Sequence, residues 1–139
     1  MAYKAEPPGK KYLKQSNYGE LQHPFDTTTF WLDGSLQVSA FEQVHFLKNI
    51  IQHLLPFKQT AYDTLQQIML VEKTPAYSLW AKTGWATRGT PQVGWYVGYV
   101  ETSTDTWIFA LNMVIQSEKD LPLRRELALT ALKLKGIIE

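Results

Sequence analysis

Residues 77–85 read Tyr77-Ser78-Leu79-Trp80-Ala81-Lys82-Thr83-Gly84-Trp85, and this run constrains the chain more than any other. A strand period of two puts Tyr77, Leu79, Ala81, Thr83 and Trp85 on one face and Ser78, Trp80, Lys82 and Gly84 on the other. A lysine and a glycine therefore share a face. Gly84 removes the side chain that would keep a ligand or another main chain away, and Lys82 sets an ammonium beside the gap. Spacing alone leaves two readings open: a binding strand, or an edge strand whose lysine discourages pairing with other chains.

Two more strand-like runs follow, over 93–101 and Thr106–Ile115. The links 86–92 and 102–105 are short enough for antiparallel hairpins. Helical patterns lie on either side. Ser39 and Glu42 form a capping box that opens a helix over 40–55, and Pro56 ends it. Val44, Leu47, Ile51 and Leu54 recur at helical spacing, with Phe46 and Ile50 widening the stripe, so this helix packs against more than one neighbour. Thr60 is a candidate cap for a second helix reaching about Val71, with Leu65, Ile68 and Met69 inward. Asp120 is a candidate cap for the last helix, with Pro122 in its first turn and Gly136 as its stop. A short helix is expected over 10–17, after an unstructured lead-in over 1–9. The fold class is α+β: a three-stranded antiparallel sheet with flanking helices.

Composition narrows function by exclusion. A formal net charge of +1 with scattered charges gives no field for nucleic acid or an anionic membrane, so neither is expected as a partner. Trp85, Trp95 and Trp107 lie in strands, where aromatic rings pack against the sheet rather than form a base-stacking platform. There is no cysteine, and His23, His45 and His53 are too spread for a metal spacing, so no metal is expected. Residues 1–9 hold no apolar run of the signal-peptide kind, and no stretch approaches the roughly 20 apolar residues of a membrane span.

Five elements, in order, carry a resemblance. They are Tyr18-Gly19, Phe30-Trp31-Leu32-Asp33-Gly34, Lys82-Thr83-Gly84, the run from Gly94 to Glu101, and Leu121-Pro122-Leu123-Arg124-Arg125-Glu126. Together they resemble the penicillin-recognising serine hydrolases, most closely the class D (oxacillinase-type) β-lactamases, over roughly 10–138. The resemblance implies the penicillin-binding-protein-like fold, a β-lactam as small-molecule partner, a periplasmic location and no cofactor. It implies that Lys82 and Thr83 hold the substrate carboxylate and the proton-relay hydroxyl, that the Trp85 backbone N–H is an oxyanion donor, and that Gly84 lets substrate approach. Trp31 takes the position that orients a carboxylated lysine, Leu32 lines the same pocket, Tyr18 belongs to the substrate cleft, and Arg124 grips the carboxylate. Read without the resemblance, Trp31 is a loop anchor, Asp33 beside Gly34 makes a turn, and Arg124 is a solvated helix residue.

Two departures matter. Glu20 stands where the family's Tyr-Gly element usually continues with asparagine, replacing an amide that donates and accepts with a carboxylate that only accepts. The family's nucleophile lies in Ser-x-x-Lys, and the six serines here are followed at that spacing by Gly19, Val38, Glu42, Ala81, Thr106 and Asp120. The chain thus looks like the C-terminal part of such a domain, inactive alone, with its partner at the Thr106–Ile115 edge being either the N-terminal part of the same fold or a second copy. The alternative is a non-catalytic relative that binds or senses β-lactams or dimerises. A sheet order unlike the family's would instead mark an unrelated aromatic-rich domain.

Overall fold

The structure is a computed structural model that describes residues 8–139. The expected lead-in therefore lies outside the described residues as far as residue 7, while Pro8 and Gly9 belong to the first helix, α1 (Pro8–Gln15). After α1 come two short paired strands, β1 (Glu20–Leu21) and β2 (Leu36–Gln37), and the helices α2 (Ala40–Ile51) and α3 (Gln59–Met69). Four strands follow: β3 (Leu70–Lys73), β4 (Tyr77–Ala86), β5 (Gln92–Thr102) and β6 (Thr106–Ile115). A 3-10 turn over Glu118–Asp120 leads into α4 (Leu123–Leu134).

The main sheet is antiparallel in the order β3-β4-β5-β6, so it has four strands rather than three. The added strand occupies the end of what the sequence pattern assigns to the second helix. α3 stops at Met69, and Leu70, Glu72 and Lys73 pair with Trp80, Leu79 and Ser78 across a bulge. All four β3 residues are exposed, so no alternation marks them as a strand. The other strands fall where alternation puts them, to within a residue or so.

α2 opens on the expected capping box: Glu42 N–H donates to Ser39 Oγ at 3.2 Å, and Ser39 N–H donates to Glu42 Oε2 at 2.7 Å. It ends at Ile51, before Pro56 is reached. Leu55 has its main-chain groups taken by one side chain instead: the Tyr62 hydroxyl donates to Leu55 O at 2.9 Å and accepts from Leu55 N–H at 3.0 Å. Thr60 does not cap α3; Lys58 stands at the N-cap without a side-chain hydrogen bond. Asp120 likewise closes the 3-10 turn, its Oδ2 accepting from Gln116 and Ser117 N–H at 2.9 and 3.0 Å, and Pro122 takes the N-cap of α4. Gly136, at φ +67°, stops α4 in the left-handed conformation that glycine adopts without strain.

The sheet separates two cores. Trp80 and Tyr99 on one face pack with Leu47 and Ile50 of α2 and Tyr62 and Met69 of α3. Leu79, Ala81, Tyr96 and Val100 on the other pack with Ala128 and Leu132 of α4 and Ile138. Leu79 and Val100 are fully enclosed. At Gly98 a side chain would run into the Trp80 carbonyl and meet the Ala81 Cα at 2.8 Å, so β4 and β5 lie too close for any residue but glycine. Among the described residues no helix is long and apolar enough to cross a membrane.

Burial of Tyr99, reinforced by the Glu101 carboxylate, pushes its phenol up from 10.0 to about 12. The folded state keeps this phenol neutral over a range where the unfolded chain ionises it. Its contribution is therefore complete below pH 10 and falls as pH rises from 10 towards 12. Urea midpoints measured along that range should decline in the parent chain and decline less steeply in Tyr99→Phe; equal slopes would contradict the assignment.

Candidate functional site

β4 pairs with β5 along its whole length, from Tyr77↔Thr102 to Ala86↔Val93. On its other side β3 covers only Ser78, Leu79 and Trp80. From Ala81 onward, among the described residues, that edge has no strand partner, so the Lys82-Thr83-Gly84-Trp85 segment has one side held in a ladder and the other open. The open edge borders a groove of about 690 Å³. Tyr18 and Trp31 line it from the loop region, Gln43 and Phe46 from α2, and Lys82, Thr83, Gly84 and Trp85 from β4. The sequence assigns Tyr18, Trp31, Lys82, Thr83, Gly84 and Trp85 to a site, and the fold brings all six to this groove.

Lys82 is exposed and donates from Nζ to the Thr83 carbonyl at 2.8 Å, which folds its side chain back along the strand edge. Gly84 faces Trp95 of β5; a Cβ there would sit 3.2 Å from the Trp95 Cβ, so glycine leaves the groove floor open beside the indole. Trp85 donates its indole N–H to Gln92 Oε1 at 3.0 Å, tying the end of β4 to the start of β5. Among the described residues no three His, Cys, Asp or Glu side chains come together as a metal-binding group.

Arg124 stands elsewhere. It rises from α4 beneath the sheet, donating from Nε to the Leu121 carbonyl at 2.8 Å and from Nη1 to the Gly84 carbonyl at 2.6 Å. A Cβ at Gly94 would lie 2.7 Å from the Arg124 Cδ, so the missing side chain of Gly94 is the passage through which the arginine reaches β4. Arg124 meets the motif through its main chain and does not line the groove. Its neighbour Arg125 comes near the buried Tyr96 hydroxyl, which makes no hydrogen bond of good geometry. Burial raises the Tyr96 phenol above its ordinary range, and Arg125 offsets part of that rise.

The loop carrying Trp31 is held by short polar contacts. Asp26 accepts from the Thr28 N–H and hydroxyl at 2.7 and 2.6 Å, and Asp33 accepts from Ser35 N–H at 2.9 Å and the Thr29 hydroxyl at 2.8 Å. These bonds hold both carboxyls below the usual carboxylate range and assign Asp33 to the turn. Trp31 packs edge-on against Phe30 at 4.9 Å and is 55% exposed. Among the described residues its indole N–H has no acceptor. Leu32 is exposed and does not line the groove. Gly19, at φ +64°, turns the chain where a side chain would strike the Gln37 carbonyl. Tyr18 then lies against Phe46, its hydroxyl accepting from Gln43 Nε2 at 2.8 Å, and burial raises its phenol despite that bond. Glu20 pairs with Gln37 in the small sheet and is exposed, away from the groove lining. Gln43 and Gln92 escape the sequence reading, the only signal being a glutamine on the inward side of α2; Gly94 is named there as the start of the 94–101 run, but not as the path of Arg124.

A family model for the penicillin binding protein transpeptidase domain matches residues 6–133. The chain belongs to the penicillin-binding-protein transpeptidase family. Within it, the chain is 36% identical over 128 residues to β-lactamase OXA-48 of Klebsiella pneumoniae, covering 92% of this chain and 48% of that protein. It is 36% identical over 132 residues to β-lactamase OXA-10 of Pseudomonas aeruginosa, covering 93% of this chain and 50% of that one. Among solved structures, the class D β-lactamase YbXI from Nostoc superposes with a TM-score of 0.85 at 40% identity, over 92% of this chain and 54% of the other. A class D β-lactamase from Sebaldella termitidis does so with a TM-score of 0.84 at 36% identity, over 94% and 54%. The transpeptidase-family chain thus spans about half the length of the curated relatives it matches, in keeping with a C-terminal portion of the class D fold.

A methyl group at position 94 must displace both the Arg124 stem and Ile115, each 2.7 Å away. Overpacking of this kind costs about 1–3 kcal/mol. Urea unfolding of Gly94→Ala should show a loss in that range, and an unchanged midpoint would mean that Arg124 does not occupy the passage.

Proposed function

We propose that this chain forms the substrate-receiving wall of a serine acyl-transfer site that opens β-lactams, and that residues outside these 139 supply the nucleophile and general base. The observation that carries the reading is the Lys82-Thr83-Gly84-Trp85 segment with its open edge on the groove that Trp31 and Tyr18 also line.

In such a reaction a serine hydroxyl attacks the lactam carbonyl, a base removes its proton, the ring C–N bond breaks as that proton passes to the departing nitrogen, and water later hydrolyses the acyl ester to give the free acid and the serine hydroxyl. Lys82 and Thr83 meet the substrate carboxylate and supply the proton-relay hydroxyl. The Trp85 N–H stabilises the oxyanion, a kind of contact whose loss costs on the order of 10²–10³ in turnover. Trp31 offers a donor-only indole to an anionic carbamate on the absent lysine. The periplasm is the proposed location, by likeness to the class D relatives.

A second reading has its own observation. β6 ends the sheet, and along it Trp107 and Val114 are 46% and 52% exposed. An apolar edge strand favours pairing with another chain, either the rest of the fold or a second copy, and a pair of copies would suit a non-catalytic β-lactam-binding protein.

Turnover of a chromogenic cephalosporin, with light scattering on the same sample, separates the two. The acyl-transfer reading predicts no turnover by this chain alone and turnover once the Ser-x-x-Lys-bearing half of a class D enzyme is added as a second polypeptide. A stable dimer that stays inactive with that half present favours the second reading. Turnover by this chain alone contradicts the claim that the nucleophile lies outside it.

A further inference from the structure

Arg124 has been placed against the main chain of the motif, and the atom it touches belongs to a peptide group with a second role. The Gly84 carbonyl and the Trp85 N–H are the two ends of one peptide unit. Arg124 Nη1 donates to that carbonyl at 2.6 Å, a short contact of the charge-assisted kind. In a trans peptide the C=O and N–H point in opposite directions, so the Trp85 N–H projects away from the guanidinium. The arginine stem lies against Gly94 of β5, and the side of β4 away from β5 is the one without a strand partner at this level.

We infer that Arg124 is a positioning residue for acyl transfer, which polarises the Gly84–Trp85 peptide through the Gly84 carbonyl and so strengthens the Trp85 N–H as a hydrogen-bond donor. A cation on the carbonyl oxygen draws electron density from the amide nitrogen, and hydrogen bonds linked through one peptide reinforce each other. Nε bonding to Leu121 O fixes the guanidinium plane, and glycine at 94 leaves it the path. The catalytic consequence rests on the acyl-transfer reading above; the polarisation itself does not. It also differs from a carboxylate grip, in which Arg124 acts on the substrate directly.

The polarisation is read by NMR on the isolated, isotope-labelled chain. In the unmodified chain a scalar coupling across the hydrogen bond should link the Arg124 guanidinium nitrogen to the Gly84 carbonyl carbon. In Arg124→Met the Gly84 carbonyl carbon and the Trp85 amide proton should both move upfield, with Arg124→Lys restoring part of the shift. The Lys82 and Trp95 amides should move far less, whereas a purely structural role would move them equally. Absence of the coupling overturns the inference even if Arg124→Met does not fold, and so do unmoved Gly84 and Trp85 resonances in a folded Arg124→Met.

With the Ser-x-x-Lys half added, Arg124→Lys should lower kcat about ten-fold while KM changes little, a part of the loss expected from removing an oxyanion donor. A rise in KM alone assigns Arg124 to the substrate carboxylate and overturns the inference. If the NMR response is present but no combination of halves turns over, it is the acyl-transfer reading that has failed.

Discussion

The ladder between β4 and β5 is the interaction on which the rest of the structure depends. It runs the full length of β4 and includes one pairing, Ala81↔Gly98, where glycine alone lets the strands lie together. Everything proposed for the site requires a strand rigid on one side and accessible on the other. β3 covers three residues and stops at Trp80, immediately before Ala81-Lys82-Thr83-Gly84. Burial fixes the first half of β4 between two cores, and the second half extends beyond both to the groove.

That division places the proposed site at the border of the cores, with its β4 wall on a strand rather than a loop. Leu79, Trp80 and Ala81 hold the strand by packing, while Lys82, Thr83 and Trp85 are exposed in continuation of it. Arg124 adds a second restraint from beneath, joining the start of α4 to Gly84 across forty residues of chain. The groove wall is thus set by the sheet on one side and by α2 and the Trp31 loop on the other, where Tyr18 and Gln43 join the two parts.

Where sequence and structure agree, the cause is local. The three long strands are legible because alternation and short links suffice to define hairpins, and α2 begins where Ser39 and Glu42 satisfy each other's amides. Where they differ, the cause is a tertiary contact. β3 has no pattern of its own and exists through the outer edge of β4, and α2 ends early where His53, stacked on Tyr62 of α3 at 4.2 Å, turns the chain at φ +55°. Motif order brings out Lys82, Thr83, Gly84, Trp85, Trp31 and Tyr18, which the fold then gathers at one groove. Leu32, carried with them, falls outside the lining. The path of Arg124 depends on a glycine thirty positions earlier, and no local rule links the two.

The central claim is that this chain by itself holds a β-lactam-receiving edge in working order while lacking the means to attack. The most direct measurement is titration of the labelled chain with benzylpenicillin, following amide shifts by NMR and covalent adducts by mass spectrometry. The account predicts saturable shifts confined to the Lys82–Trp85 segment and its groove neighbours Tyr18 and Trp31, with no added mass. Shifts elsewhere, no shifts at any concentration, or a covalent penicilloyl adduct would contradict it.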